Sequence, residues 1–210
     1  MRAWLYDSLI VSMTADWYRA VLAALPEHAN VLDVGIGTGA ALLAHASLLE
    51  QKDLRVVGVD VDADYVHRCI SAVKAAGLSG RIEPRLESVY DHRGGPYDAA
   101  YFSGSFMLLP DPAAALRHVV SLVHESARIY FTQTFEHERS RMLELIKPVL
   151  RLVTTIDFGR VTYEADFQRV LADANVAVEE QIVLQPGRKR SSVMVVARAH
   201  RGREQVKHPT

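Results

Sequence analysis

Asp33 and the glycines that follow it have the residue types and the spacing of a ligand-binding turn. An apolar run ends in Asp33, and Gly35, Gly37 and Gly39 then occupy alternate positions before a predicted helix. Glycine lets the backbone approach a ligand closely, and the N-terminus of a helix presents free N–H groups. The alternative is a tight turn without a ligand. The first interpretation predicts a ligand pressed against the glycines, with the Asp33 carboxylate beneath it.

A second acid, Asp60, ends the next apolar run, about twenty residues beyond Gly39. A carboxylate at this spacing accepts hydrogen bonds from the hydroxyls of a ribose, because it follows the neighbouring strand of the sheet. The succession of strand, glycine turn, helix and Asp60 therefore predicts an adenosine-containing cofactor.

Asp33 favours one of the two cofactors that fit such a turn. Gly35, Gly37 and Ala40 loosely match the dinucleotide pattern G-x-G-x-x-G or A. A bound pyrophosphate would, however, lie above Asp33, where a negative charge is unfavourable. The same carboxylate is well placed for the ammonium of a methionine moiety, directly or through water. We therefore expect S-adenosylmethionine rather than a nicotinamide dinucleotide.

The hydrophobic periodicity alternates between strands and helices along the chain. It predicts strands at 30–35, 54–61, 80–88, 97–104, 127–135, 176–184 and 191–199. It predicts helices at 39–51, 66–76, 112–123, 137–153 and 163–174. Pro84 indicates an edge position for the third strand. This order predicts a doubly wound α/β sheet, parallel except for its last strand, with ligands at the carboxyl ends of the strands.

Four motifs along this pattern resemble those of class I S-adenosylmethionine-dependent methyltransferases: VLDVGIGTG, VVGVDVD, RLES and YDAAYFSGSFMLL. The resemblance covers about residues 28–135 and implies a Rossmann-like seven-stranded sheet with a reversed last strand. It implies that the glycines lie near the methionine part, Asp60 on the ribose and Val61 against the adenine. An acid–small pair, here Glu87 and Ser88, is expected near the adenine amino group. The predicted cofactor-binding residues are Asp33, Gly35, Ile36, Gly37, Gly39, Asp60, Val61, Glu87, Ser88 and Ser103.

The resemblance also divides the chain into segments. It implies an N-terminal helical lid (1–29), a cofactor-binding core (30–135), a substrate-side insertion (136–175), a terminal hairpin (176–200) and a polar tail (201–210). The stretch SGSF stands where methyltransferases of DNA adenine or glutamine often carry Asn-Pro-Pro-aromatic. Phe106 and Met107 within it are expected near the reacting centre. The pattern is most similar to enzymes that act on quinone precursors, sterols or phosphobases, so the predicted acceptor is a small molecule.

Two residues are candidates for a direct part in methyl transfer. Tyr6 is the candidate lid aromatic, which would shield the sulfonium of the cofactor and attract it by cation–π contact. The alternative is that the N-terminal aromatics pack a helix onto the sheet. His137 is the candidate general base, needed only when the acceptor must lose a proton. The basic stretch Arg188–Arg190 is either a recognition element for an anionic acceptor or a solvated hairpin tip.

Composition narrows the remaining classes of function. The 24 lysines and arginines nearly balance the 25 acidic residues, which disfavours a nucleic-acid binder, and no DNA partner is expected. Cys69 is the single cysteine, so an intramolecular disulfide and a cysteine cluster for zinc are excluded, and no metal is expected. No apolar run reaches the ~20 residues of a membrane span, and we expect a cytoplasmic protein. The alternatives are an RNA or protein methyltransferase, or a cofactor-binding subunit without catalysis.

Overall fold

The strands of the protein form one seven-stranded sheet. The computed structural model of the chain describes residues 2–136 and 162–199, with side chains from residue 13 onward. The strands are β1 Asn30–Val34, β2 Arg55–Asp60, β3 Ile82–Leu86, β4 Tyr97–Ser103, β5 Val123–Glu136, β6 Val176–Gln185 and β7 Arg190–Ala199. Their spatial order is β3-β2-β1-β4-β5-β7-β6.

Strand direction agrees with the prediction. Strands β1 to β5 pair in parallel, whereas β7 runs antiparallel to both β5 and β6. The expected α/β sheet with a reversed last strand is confirmed. The edge position predicted for β3 from Pro84 is confirmed as well. The parallel strands therefore all end at one edge, hereafter the carboxyl edge.

Helices cover both faces of the sheet. They are α1 Arg2–Ala24, α2 Ala40–Leu43, α3 Ala46–Gln51, α4 Ala63–Ala75, α5 Pro112–Leu122 and α6 Glu164–Asp173, with a 3-10 turn at Phe106–Leu108. One buried cluster packs the helices α1, α2, α3 and α4 on one face of the sheet. The other cluster packs α5 and α6 on the opposite face. Helix α5 begins as expected, because Asp111 caps it through the Ala114 amide and Pro112 opens it.

Two predicted elements differ from the structure. The helix expected at 39–51 is wrong as a single element: His45, with φ −119°, separates α2 from α3. Its Nε2 lies 2.7 Å from the carbonyl oxygen of Ala15, so this break ties the segment to α1. Strand β5 begins at Val123, directly after α5, rather than at 127. The helix expected at 137–153 and the tail from 201 lie outside the described residues.

Candidate functional site

The glycine turn lies at the carboxyl edge, where β1 leads into α2. Gly35, Gly37 and Gly39 have φ of 83°, 58° and 71°, a left-handed region that other residues rarely adopt. A Cβ on Gly35 would lie 2.6 Å from Cβ of Ser105, and one on Gly39 would lie 2.5 Å from Sγ of Cys69. A Cβ on Gly37 would meet nothing within 4 Å. The outer two glycines thus allow close packing, whereas the middle one borders open space.

Asp33 lies on β1 beneath this turn and is 1% exposed. The hydroxyl of Tyr18 donates a 2.7 Å hydrogen bond to its Oδ2. Its Oδ1 is buried and has no hydrogen-bond partner among the described residues. Burial raises the pKa of Asp33 to about 7, the Tyr18 hydrogen bond opposes the increase, and the charge of Asp60 adds to it. A cationic group at Oδ1 would stabilise the carboxylate.

Asp60 joins the glycine turn to the start of α4. Its Oδ2 accepts a 2.9 Å hydrogen bond from the amide of Gly37, and its Oδ1 accepts one of 3.0 Å from the amide of Asp62. An ionised carboxylate has about four lone-pair sites, so two remain for hydroxyl donors. Val61, the next residue, is 73% exposed, which leaves an apolar surface beside the carboxylate.

Glu87 and Ser88 follow β3 at the same edge. The amide of Glu87 donates a 3.0 Å hydrogen bond to the carbonyl oxygen of Asp60, which fixes the pair beside β2. The Glu87 carboxylate contacts the buried ring of His92, with 2.6 Å between Oε1 and Nδ1. The Ser88 hydroxyl accepts a hydrogen bond of 3.3 Å from the amide of Tyr90. The structure thus brings the acid–small pair to the predicted edge.

Two other predicted residues have side chains in the interior. Ile36 is 5% exposed and packs on Gly58, so its backbone alone faces the turn. Phe106 is 1% exposed and contacts Phe131, with 4.8 Å between ring centroids. The Phe106 ring is therefore part of the core, and the expectation that this residue lies near the reacting centre stays a prediction. Ser103 ends β4 and is half-buried at the carboxyl edge.

The N-terminal helix reaches the site through two aromatic residues. Trp17 and Tyr18 are each 4% exposed, and Tyr18 packs edge-on against Tyr101. A Cβ on Gly104 would lie 3.3 Å from the Trp17 ring. These two aromatics pack α1 onto the sheet, in agreement with the alternative to a lid. The side chain of Tyr6 lies outside the described part of the chain, so its lid role stays a prediction.

The remaining candidates lie at the rim of the site or outside the described residues. His137 is not among the described residues. Arg188–Arg190 is exposed in the turn between β6 and β7. That turn stands at the carboxyl edge, because Arg190 pairs with Glu136 at the end of β5. A basic group is therefore available on the same edge as Asp33.

Two cavities lie away from the glycine turn. One of about 590 Å³ at the end of β5 is lined by Phe135, Glu136, Tyr163, Glu164, Gln181 and Val193 among others. The other, of about 650 Å³, lies at the opposite edge of the sheet around Arg55 and Arg81. Among residues 2–136 and 162–199, no three His, Cys, Asp or Glu side chains cluster as metal ligands. Within the same ranges, no helix is both long and apolar enough to cross a membrane.

Sequence reasoning found the acids of the site and missed two of their partners. Tyr18 is one of the N-terminal aromatics that were expected either to form a lid or to pack a helix onto the sheet, and its hydrogen bond to Asp33 was not predicted. His92 was not expected at the carboxyl edge, yet it is 0% exposed and contacts Glu87. The signal for His92 was weak, since it follows Glu87 through a turn without periodicity.

Known proteins match this chain in part of its sequence and in its fold. A family model described as a methyltransferase domain matches residues 31–126. No curated protein matches the chain. Mitomycin 7-O-methyltransferase MmcR is similar in structure, with a TM-score of 0.70 at 18% identity, over 91% of this chain and 54% of that one. This chain thus spans about half the length of MmcR.

Two further solved structures are similar over most of both chains. Geranyl diphosphate C-methyltransferase from Streptomyces coelicolor A3(2) has a TM-score of 0.69 at 12% identity, over 89% of this chain and 77% of that one. The cyclase SpnF has a TM-score of 0.68 at 15% identity, over 88% of this chain and 81% of that one. At these identities, the solved structures show the fold alone.

The sheet order and the carboxyl-edge crevice define a Rossmann-like fold of the methyltransferase class. Within this fold, residues 31–126 match a methyltransferase domain.

Proposed function

We propose that this protein transfers the methyl group of S-adenosylmethionine to a small-molecule acceptor. The observation that carries the proposal is the buried Oδ1 of Asp33, which lacks a partner among the described residues and lies beneath the glycine turn. A buried carboxylate oxygen without a donor is unfavourable, and an ammonium group would satisfy it. The cofactor carries an ammonium at the methionine end, whereas a dinucleotide carries a pyrophosphate there.

The other residues suit the rest of the cofactor. The open space at Gly37 admits the methionine backbone, and the free lone pairs of Asp60 suit the ribose hydroxyls. Val61 offers an exposed apolar surface to the adenine, and Glu87 offers an acceptor to its amino group. Ser88 and Ser103 complete the predicted set.

The reaction we propose is a direct in-line displacement. When bound, S-adenosylmethionine supplies a methyl carbon attached to a positively charged sulfur. A lone pair of the acceptor forms the new bond to that carbon while the carbon–sulfur bond breaks, and the bonding electrons remain on sulfur as S-adenosylhomocysteine forms. The protein aligns the two reactants and excludes water. A hydroxyl acceptor also loses a proton, for which His137 is the candidate base, with Tyr6 as the candidate lid.

The acceptor class rests on two supports. MmcR is a mitomycin 7-O-methyltransferase, the Streptomyces coelicolor enzyme is a geranyl diphosphate C-methyltransferase, and both share this fold. The turn at Arg188–Arg190 places cations on the carboxyl edge, which suits an acceptor with a phosphate or carboxylate. SpnF is a cyclase with the same fold, so the fold alone does not determine which reaction is catalysed. RNA or protein methylation and a non-catalytic cofactor-binding subunit are therefore outcomes that the test must separate.

The test begins with titration calorimetry of S-adenosylhomocysteine and, as the control ligand, NAD. We expect the first to bind and the second not to bind, and binding of NAD alone would overturn the proposal. Transfer of labelled methyl from S-adenosylmethionine is then measured with phenols, quinols, amines and phospholipid precursors, and separately with RNA and protein. Turnover of a small molecule supports the proposal. Turnover of RNA or protein alone, or binding without any turnover, contradicts it.

A further inference from the structure

The buried side chain of His92 contacts Glu87 at the carboxyl edge and Tyr97 in the interior of the protein. The ring of His92 is 0% exposed. Its Nδ1 lies 2.6 Å from Oε1 of Glu87, and its Nε2 lies 2.8 Å from the hydroxyl oxygen of Tyr97. The His92 and Tyr97 rings stack with centroids 5.8 Å apart. Glu87, His92 and Tyr97 thus form one hydrogen-bonded chain that ends at the carboxyl edge.

The surrounding backbone holds the histidine in place. The amide of His92 donates a 3.0 Å hydrogen bond to the carbonyl oxygen of Ser88, and its own carbonyl oxygen lies 2.9 Å from Nε2 of His118. A Cβ on Gly94 would lie 2.6 Å from the Tyr97 hydroxyl and 2.8 Å from His92 Nε2. The loop therefore packs directly against the ring, and rotation of the imidazole would break several contacts.

One arrangement of protons satisfies both ring nitrogens of His92. A neutral imidazole with its proton on Nδ1 donates to the Glu87 carboxylate and accepts at Nε2 from the Tyr97 hydroxyl. The guanidinium of Arg85 lies farther from Glu87, with 3.8 Å between Nη1 and Oε1. His92 is therefore the close donor that fixes the orientation of the Glu87 carboxylate.

The other oxygen of Glu87 faces a different environment. The contacts with His92 and Arg85 are both made by Oε1, and the Glu87 side chain is 30% exposed. Leu86, which ends β3, and Val61, which follows β2, are 52% and 73% exposed. A partly exposed carboxylate that is anchored through Oε1 thus stands at a strand end that also bears exposed apolar side chains. That combination suits a planar base with an amino group at its edge.

We propose that His92 is a positioning residue that holds Glu87 so that Oε2 accepts a hydrogen bond from the exocyclic amino group of the adenine. The inference rests on the proposed cofactor site and adds its base specificity. Hypoxanthine carries a carbonyl oxygen at this position, which would face the carboxylate without a shared proton. A base that cannot donate there is rejected, because it leaves two acceptors opposed in a partly buried site.

Two ligands and two substitutions test this role. Titration calorimetry compares S-adenosylhomocysteine with S-inosylhomocysteine, whose base has a carbonyl oxygen in place of the amino group and a proton on N1. The wild-type protein is expected to prefer the adenine ligand by about tenfold or more, the range for a hydrogen bond to a charged group. Glu87→Gln is expected to lose most of this preference, since an amide both donates and accepts.

The matched pair at position 92 separates positioning from packing. An asparagine amide mimics Nδ1 and reaches Glu87, so His92→Asn is expected to keep the preference. A glutamine amide mimics Nε2 and reaches Tyr97 instead, so His92→Gln is expected to reduce the preference to within about threefold. If His92 had a merely structural role, both substitutions would weaken the binding of both ligands by the same factor and leave the ratio of the two affinities unchanged.

The outcomes distinguish this inference from the proposed function. If neither ligand binds the wild-type protein, the proposed cofactor site fails. If S-adenosylhomocysteine binds and the two position-92 variants show the same ligand ratio, or Glu87→Gln retains the wild-type ratio, the positioning role is overturned while the cofactor site stands. Circular dichroism of each variant establishes that it is folded before the titrations.

Discussion

The hydroxyl of Tyr18 on α1 donates a 2.7 Å hydrogen bond to one oxygen of Asp33 and leaves the other oxygen directed to no partner among the described residues. The N-terminal helix therefore contributes to the proposed cofactor site through a buried polar contact as well as through packing. Burial raises the pKa of the Tyr18 hydroxyl well above its usual value, so it remains a donor at every physiological pH.

Removal of this donor is expected to weaken cofactor binding near neutral pH. Because the Tyr18 hydrogen bond lowers the pKa of Asp33, Tyr18→Phe should raise that pKa above about 7 and leave more of the acid neutral. Affinity for S-adenosylhomocysteine, titrated from pH 6 to pH 9, should then reach its plateau at a higher pH than in the wild type. Tyr130→Phe is the matched control, since that hydroxyl contacts the Ala24 carbonyl oxygen at 3.5 Å and the Arg128 side chain rather than Asp33. Coincident pH profiles for Tyr18→Phe and wild type would contradict the coupling.

Asp33→Asn is expected to stabilise the protein without ligand at alkaline pH while weakening cofactor binding. The pKa of Asp33 is near 3.8 when unfolded and about 7 when folded, so the folded state binds the extra proton between these values. Its contribution to the free energy of unfolding therefore falls as the pH rises through that window. Denaturant titrations should show the variant close to wild type at pH 4 and more stable at pH 8, by up to roughly 4 kcal/mol. If the variant and the wild type differed in the free energy of unfolding by the same amount at pH 4 and pH 8, the titration of Asp33 would be excluded as the cause of the difference.

Much of the proposed cofactor site was predictable, because the positions of its residues depend on local sequence features. Strand ends and the glycine spacing placed Asp33 and Asp60 at the carboxyl edge, and Pro84 placed β3 at the side of the sheet. Contacts across the chain were not predictable in this way. Tyr18 reaches Asp33 only once α1 docks, and the break at His45 depends on a carbonyl group of α1. The burial of the Phe106 ring was not predictable for the same reason, since its contacts with Phe131 and Phe167 join residues far apart in the chain.

Asp60→Ala is expected to weaken binding of S-adenosylhomocysteine by roughly 1.5–3 kcal/mol, the range for hydrogen bonds to a charged group, and to leave the protein folded. Asp60→Asn retains one acceptor oxygen, so its affinity for S-adenosylhomocysteine should lie between those of Asp60→Ala and the wild type. Asp62→Ala is the control, because this neighbour caps α4 through the Tyr65 amide and should reduce stability by about 1 kcal/mol without changing affinity. Unchanged affinity in Asp60→Ala, measured by calorimetry, would remove Asp60 from the site.

Gly37 and Gly39 are expected to respond differently to alanine. Both have positive φ, so each substitution should lower the free energy of unfolding by about 1 kcal/mol from backbone strain. Gly39→Ala should lower the free energy of unfolding further than Gly37→Ala, since its Cβ would also lie 2.5 Å from Sγ of Cys69. The double variant Gly39→Ala/Cys69→Ala removes that sulfur and should recover the steric part alone. At Gly37 the new methyl group would enter open space, so Gly37→Ala should lose ligand affinity more than stability. Equal losses of stability in both single variants, with no recovery in the double variant, would show that the two glycines have the same role.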